Sequence, residues 1–155
     1  MEHKTNAMRI LTQKKISYQV HDYTNSDNIS GLDVAKYFNE DPSKVFKTLV
    51  TVAKSKEHYV FLVPVSKTLD LKKSASVVKE KAIEMVKSKD LLSLTGYIHG
   101  GCSPIGMKKQ YKTIIDISAK ESEKIFISGG KIGYQIEIAV SDLEKIMPII
   151  YADIC

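Results

Sequence analysis

Arginine is nearly absent from this chain: of 23 basic residues, all but Arg9 are lysine. Arginine supplies the planar fork that reads base edges, whereas lysine supplies point charges suited to a phosphate backbone. The formal net charge of +5 favours an anionic partner such as RNA. Contact with backbone and termini is therefore expected, and no role on DNA. Cysteine is scarce as well, with only Cys102 and Cys155. That excludes a disulfide framework and suits the reducing cytoplasm. There is no C-x-x-C, no H-E-x-x-H and no acidic EF-hand loop, so neither a metal site nor a cofactor is expected. No apolar run approaches the roughly 18 residues of a membrane span, and no stretch reads as a signal peptide. Repeats, linkers and low-complexity tracts are missing too. The 155 residues fit one domain spanning positions 1–155, with a core of its own.

Glycine, by contrast, is concentrated. Four of the eight glycines fall in the stretch Thr95-Gly96-Tyr97-Ile98-His99-Gly100-Gly101-Cys102-Ser103-Pro104-Ile105-Gly106. Glycine permits positive φ and lets backbone N–H groups approach a ligand. Pro104 stiffens the exit and restricts Ser103 to extended geometry. Such a loop can surround a small group with backbone donors, or it can be a plain tight turn.

Helices are expected over Lys4–Lys15, capped by Thr5 or Asn6, over Leu32–Phe38 and over Leu69–Lys79. A further helical turn is expected at Asp90–Leu94, and a capped closing helix from Ser141 to Met147 ends at Pro148. Tyr18–Asp22 alternates as a strand does, and Asn25–Gly31 reads as a polar loop. Thr48–Ala53 and Tyr59–Val65 read as a hairpin, the second strand buried on both faces. Shorter strands are expected at Ala82–Val86, Thr113–Ile117, Lys124–Ser128 and Tyr134–Ile138. Antiparallel strands with scattered short helices suggest a mixed α/β (α+β) domain.

Pattern alone leaves the chemistry open. Lys47 sits where a strand begins, either as an edge lysine whose stem covers the core or as a placed charge. Cys102 and His99 invite a thiolate–imidazole pair, although three residues in a turning loop do not establish reach. Ser128-Gly129-Gly130 lines a pocket or closes a hairpin. Tyr23 stacks on a base or belongs to the core.

Six words in register narrow the choice. Val45-Phe46-Lys47-Thr48-Leu49-Val50, Leu69-Asp70-Leu71-Lys72-Lys73, Thr95-Gly96-Tyr97, Gly100-Gly101-Cys102-Ser103-Pro104-Ile105-Gly106, Thr113-Ile114-Ile115-Asp116 and Ile127-Ser128-Gly129-Gly130-Lys131 follow one another in this order. Together, across about Lys4 to Ile154, they resemble the YbaK-type Cys-tRNA(Pro) deacylases, relatives of the editing insertion domain of prolyl-tRNA synthetase. The resemblance implies a curved, barrel-like mixed β-sheet surrounded by short helices. It implies trans-editing hydrolysis of mischarged aminoacyl-tRNA, assisted by the thiol of the attached cysteine, with prolyl-tRNA synthetase as a further partner. Lys47 matches the lysine required for deacylation. Gly100 and Gly101 match the G-x-x-x-P loop completed by Pro104, where backbone donors meet the ester carbonyl. Tyr23, Cys102, Ser103, Pro104, Ser128, Gly129 and Gly130 are the substrate-binding positions it implies. Ile132 stands where many relatives carry arginine, and Gln135 where some carry an acid. A cysteine hydrolase using Cys102 and a non-catalytic tRNA- or synthetase-binding adaptor are the competing readings.

Overall fold

Runs of β-branched and aromatic residues become strands, and alternation along them decides which core each side chain joins. The computed structural model describes residues 4–24 and 31–155; most of the polar loop expected at Asn25–Gly31 lies outside these. Five helices are described: α1 (Asn6–Gln13), α2 (Gly31–Tyr37), α3 (Leu71–Val77), α4 (Ser88–Thr95) and α5 (Val140–Ile146). The strands are β1 (Gln19–Asp22), β2 (Phe46–Ala53), β3 (His58–Pro64), β4 (Ile83–Met85), β5 (Lys112–Asp116), β6 (Lys124–Ser128), β7 (Tyr134–Ala139) and β8 (Ile149–Ala152). They form a three-stranded sheet ordered β1-β7-β6 and a five-stranded sheet ordered β4-β2-β3-β5-β8. The β3–β5 and β5–β8 pairs are parallel and the rest antiparallel. A single parallel bridge, Val45 to Phe126, joins the sheets. The mixed α/β domain with short helices is thus as expected, its strands divided between two sheets.

The central strand β3 has apolar groups on both faces, so it separates two cores. Val60 and Leu62 pack with α1, β6 and β7, while Tyr59, Phe61 and Val63 pack with α3 and Ile154. Caps set the helix starts. Thr5 Oγ1 accepts the Met8 N–H at 3.2 Å, and Asp70 Oδ1 accepts those of Lys72 and Lys73 at 3.0 Å each, filling donors that no helical carbonyl reaches.

Two local expectations are corrected. Helix α5 starts at Val140, with Ala139 as its N-cap and no side-chain cap, so Ser141 lies inside the first turn. After Pro148 the chain adds a further strand, β8, beside β5. Pro148 ends the helix, and the short apolar run Ile149-Ile150-Tyr151 finds the free edge of the parallel sheet.

Candidate active site

Strand β4 pairs only with the Thr51–Ala53 half of β2. Beyond Val50, whose carbonyl takes the Val86 N–H at 3.0 Å, the β4-side edge of β2 is free of β4. A cavity of about 330 Å³ occupies that space. Its walls are Val45–Val50 of β2 and its approach, Val86, Ser88 and Leu91 at the start of α4, the loop residues His99, Gly100 and Cys102, and Ile127, Ser128, Tyr134 and Gln135 from the β6–β7 hairpin. Tyr23 and Val34 complete it. Volume and lining suit one small organic group held by a few polar atoms.

Lys47 is half-buried on this open edge, and among the described residues no carboxylate pairs with it. An ammonium held beside apolar neighbours with no counter-charge is ready for a ligand anion or a developing oxyanion.

The glycine turn lines the same cavity. Gly100 has φ +88°, and the Gly101 N–H donates to the Ile98 carbonyl at 3.0 Å, closing a tight turn that needs glycine at its third position. The Gly101 donor is therefore already occupied, whereas the Gly100 N–H has no partner among the described residues. Gly101 is small for a different reason: a Cβ there would stand 2.9 Å from the Ile132 nitrogen and 3.0 Å from Lys131 backbone atoms. The glycine loop and the β6–β7 turn pack backbone to backbone. We expect Gly101→Ala to force this joint apart, at about 1–3 kcal/mol. Denaturant unfolding checks this, and an unchanged midpoint would refute it.

Cys102 lines the cavity but is 7% exposed. Burial pushes its thiol up to about 11, against a smaller opposing effect from Thr95. His99 is exposed and makes no hydrogen bond to it among the described residues. The pair has neither the ionisation nor the contact a cysteine hydrolase needs.

The sequence profile of the aminoacyl-tRNA editing domain matches residues 30–146. The chain belongs to that family. It is 43% identical over 139 residues to an Enterococcus faecalis protein assigned as a Cys-tRNA(Pro)/Cys-tRNA(Cys) deacylase, EbsC, covering 89% of this chain and 85% of that protein. The fold recurs in a crystal structure assigned as a trans-editing enzyme for prolyl-tRNA synthetase, at TM-score 0.84 and 19% identity, covering 99% of this chain and 98% of that one. It recurs again in a hypothetical protein at TM-score 0.87 and 16% identity, covering 96% and 98%.

In this editing domain the positions expected from sequence divide. Lys47, Gly100, Cys102, Ser128 and Tyr23 come together on the cavity. Gly101, Ser103, Pro104, Gly129 and Gly130 stand behind its wall. Ser103 is fully buried and its Oγ accepts the Ile105 N–H at 3.2 Å. The Gly129 carbonyl takes the Thr5 hydroxyl, and the Gly130 N–H reaches Ser128 Oγ at 3.2 Å. These residues shape the turns that carry the wall. Tyr23 is 8% exposed and lies edge-on to Phe38, with ring centroids 6.2 Å apart; it is wall, not an open stacking platform. Ile132 is exposed at 46%. Among the described residues no cluster of His, Cys, Asp or Glu is arranged for a metal ion, and no helix is long and apolar enough to cross a membrane.

Sequence reasoning missed Thr48 and the Glu40–Gln135 pair. The signal for Gln135 was present: it faces away from the Tyr134-Ile136-Ile138 stripe yet is 4% exposed, so the opposite face of β7 is covered as well. Nothing near Glu40 in the sequence indicates that it meets a residue 95 positions away.

Proposed function

We propose that this chain hydrolyses the ester of mischarged aminoacyl-tRNA, with Cys-tRNA(Pro) as its substrate. The observation that carries the reading is that Lys47, with no carboxylate partner among the described residues, and the Gly100 turn line one small cavity that holds no competent nucleophile of its own. Membership of the editing-domain family and the name of the E. faecalis relative support it.

The chemistry then comes from the substrate. The thiol of the esterified cysteine loses its proton and its sulfur bonds to the ester carbonyl carbon. The carbonyl oxygen gains charge, which Lys47 and the Gly100 N–H stabilise. The C–O bond to the terminal ribose breaks and the ribose oxygen takes up a proton. Water opens the cyclic thioester, so the net reaction is hydrolysis. The enzyme supplies position and electrostatics. The lysine-rich surface holds the tRNA by its phosphates, in the cytoplasm where charged tRNA is used. Prolyl-tRNA synthetase is the proposed further partner, in keeping with the assignment given to a structural relative.

A deacylation panel tests this, with Cys-, Ala-, Ser- and Pro-tRNA(Pro) beside Cys-tRNA(Cys). Fast loss of the cysteinyl group from tRNA(Pro), with Pro-tRNA(Pro) spared, is the expected result. Binding of tRNA without deacylation of any pair would replace the reading by that of an adaptor.

A further inference from the structure

Three buried side-chain atoms among the described residues lack a hydrogen-bond partner: Thr48 Oγ1, Gln135 Oε1 and Glu40 Oε2. They belong to one region. Thr48 and Gln135 line the cavity, and Glu40 stands behind Gln135, accepting its Nε2–H on Oε1 at 3.0 Å. That bond orients the amide. A carboxylate oxygen accepts, so the NH₂ end must face it, and Oε1 is left without a partner. Buried acceptors in this state are costly, and native proteins rarely keep several together. Gln135 Oε1 is left as an acceptor on the cavity wall that no donor among the described residues reaches.

Charge points the same way. The ionisable neighbours of Glu40 are His21 and Glu137, and these engage each other, His21 Nε2 lying 3.0 Å from Glu137 Oε1. Among the described residues no Lys or Arg pairs with Glu40. Its burial raises the carboxyl above the usual range, toward the acid form in which a proton neutralises the charge. A ligand that replaces this proton must carry N–H groups and positive charge. An aminoacyl ester carries one such group, its α-ammonium. Lys47 repels a second cation, which leaves the Thr48–Gln135 side as the polar wall open to it.

We propose that Gln135, held by Glu40, is the subsite for the α-ammonium of the aminoacyl ester and gives the enzyme its preference for esters with a free amine. Gln135 is the binding residue; Glu40 stands behind it, orienting its amide and supplying the negative charge that favours an ammonium there. The inference rests on the deacylase reading above.

The test compares Cys-tRNA(Pro) with 3-mercaptopropionyl-tRNA(Pro), which keeps the thiol and ester but lacks the amine. Single-turnover rates are measured for the parent, Gln135→Leu and Glu40→Gln. The quantity read is the ratio of the two substrates' rates, relative to the parent's ratio, so that intrinsic ester reactivity cancels. A buried hydrogen bond to a charged group corresponds to about 10–100-fold, and both variants are expected to reduce the ratio by that factor. A purely structural role lowers both rates together and leaves the ratio where it was. Glu40→Gln keeps an acceptor for the Gln135 amide while removing the charge, so it decides the matter if Gln135→Leu fails to fold. A folded Glu40→Gln protein with the parent's ratio overturns the proposal. A parent that deacylates neither ester overturns the deacylase reading and this inference with it; a parent that turns over both at rates matching their intrinsic reactivities overturns the inference alone.

Discussion

Replacing Lys47 by alanine is expected to slow single-turnover deacylation of Cys-tRNA(Pro) by about a hundredfold or more in a protein that remains folded. The ammonium sits on the part of β2 that β4 does not cover, with no carboxylate partner among the described residues. No ion pair is lost on its removal. What is lost is packing of a half-buried stem, at most about 1–2 kcal/mol. Lys47→Met keeps most of that packing and removes the charge, so it should be as inactive as Lys47→Ala and closer to the parent in stability. Rapid quench under single-turnover conditions, with thermal unfolding alongside, separates the two effects. A folded Lys47→Met protein with near-parent rates would remove Lys47 from the mechanism.

Exchanging the substrate's cysteine for serine should cost about a thousandfold or more, while Cys102→Ala should leave the rate close to the parent's. The two results belong together. With its thiol held near 11, Cys102 is ionised in only about one molecule in ten thousand at neutral pH. The thiol of an aminoacyl ester in a partly open cavity ionises more readily, and a serine hydroxyl hardly at all. Pocket shape alone separates such near-isosteres by roughly 10–200-fold, so a larger factor indicates that the substrate sulfur reacts. An enzyme-borne nucleophile reverses the order: a dead Cys102→Ala protein, inactivation of the parent by iodoacetamide, and modest discrimination between the two esters. Loss of more than about a thousandfold in folded Cys102→Ala would establish that case.

How far the sequence reveals this molecule depends on the range of the interaction concerned. The uninterrupted apolar run Tyr59–Val65 is a local property, and it correctly gives a strand buried on both faces because β3 divides two cores. Thr5 and Asp70 announce helix starts through bonds made within three residues. Lys47 and Gly100 were legible as a motif, and the cavity brings them together. Gly101 was legible only as a glycine. Its reason is contact with the backbone of Lys131 and Ile132, which no local pattern contains. The same limit hid Glu40 and its pairing with Gln135, 95 positions away. It hid β8 as well, whose four residues form a strand because the edge of β5 is vacant.

The joint between the glycine loop and the β6–β7 turn has a consequence for synthesis. Lys47, Gly100 and Gln135 belong to segments made far apart in time as the chain leaves the ribosome, and the wall at Ser128–Gln135 comes last. Until that hairpin has emerged and its backbone has seated against Gly101, a nascent chain carries Lys47 without an enclosed site. Pairings this distant in sequence form late, because the intervening loop must be closed before any contact rewards it. Activity should therefore arise in one step once the β6–β7 hairpin has emerged, and fragments ending before Gln135 should be inert toward charged tRNA however well their first hairpin folds.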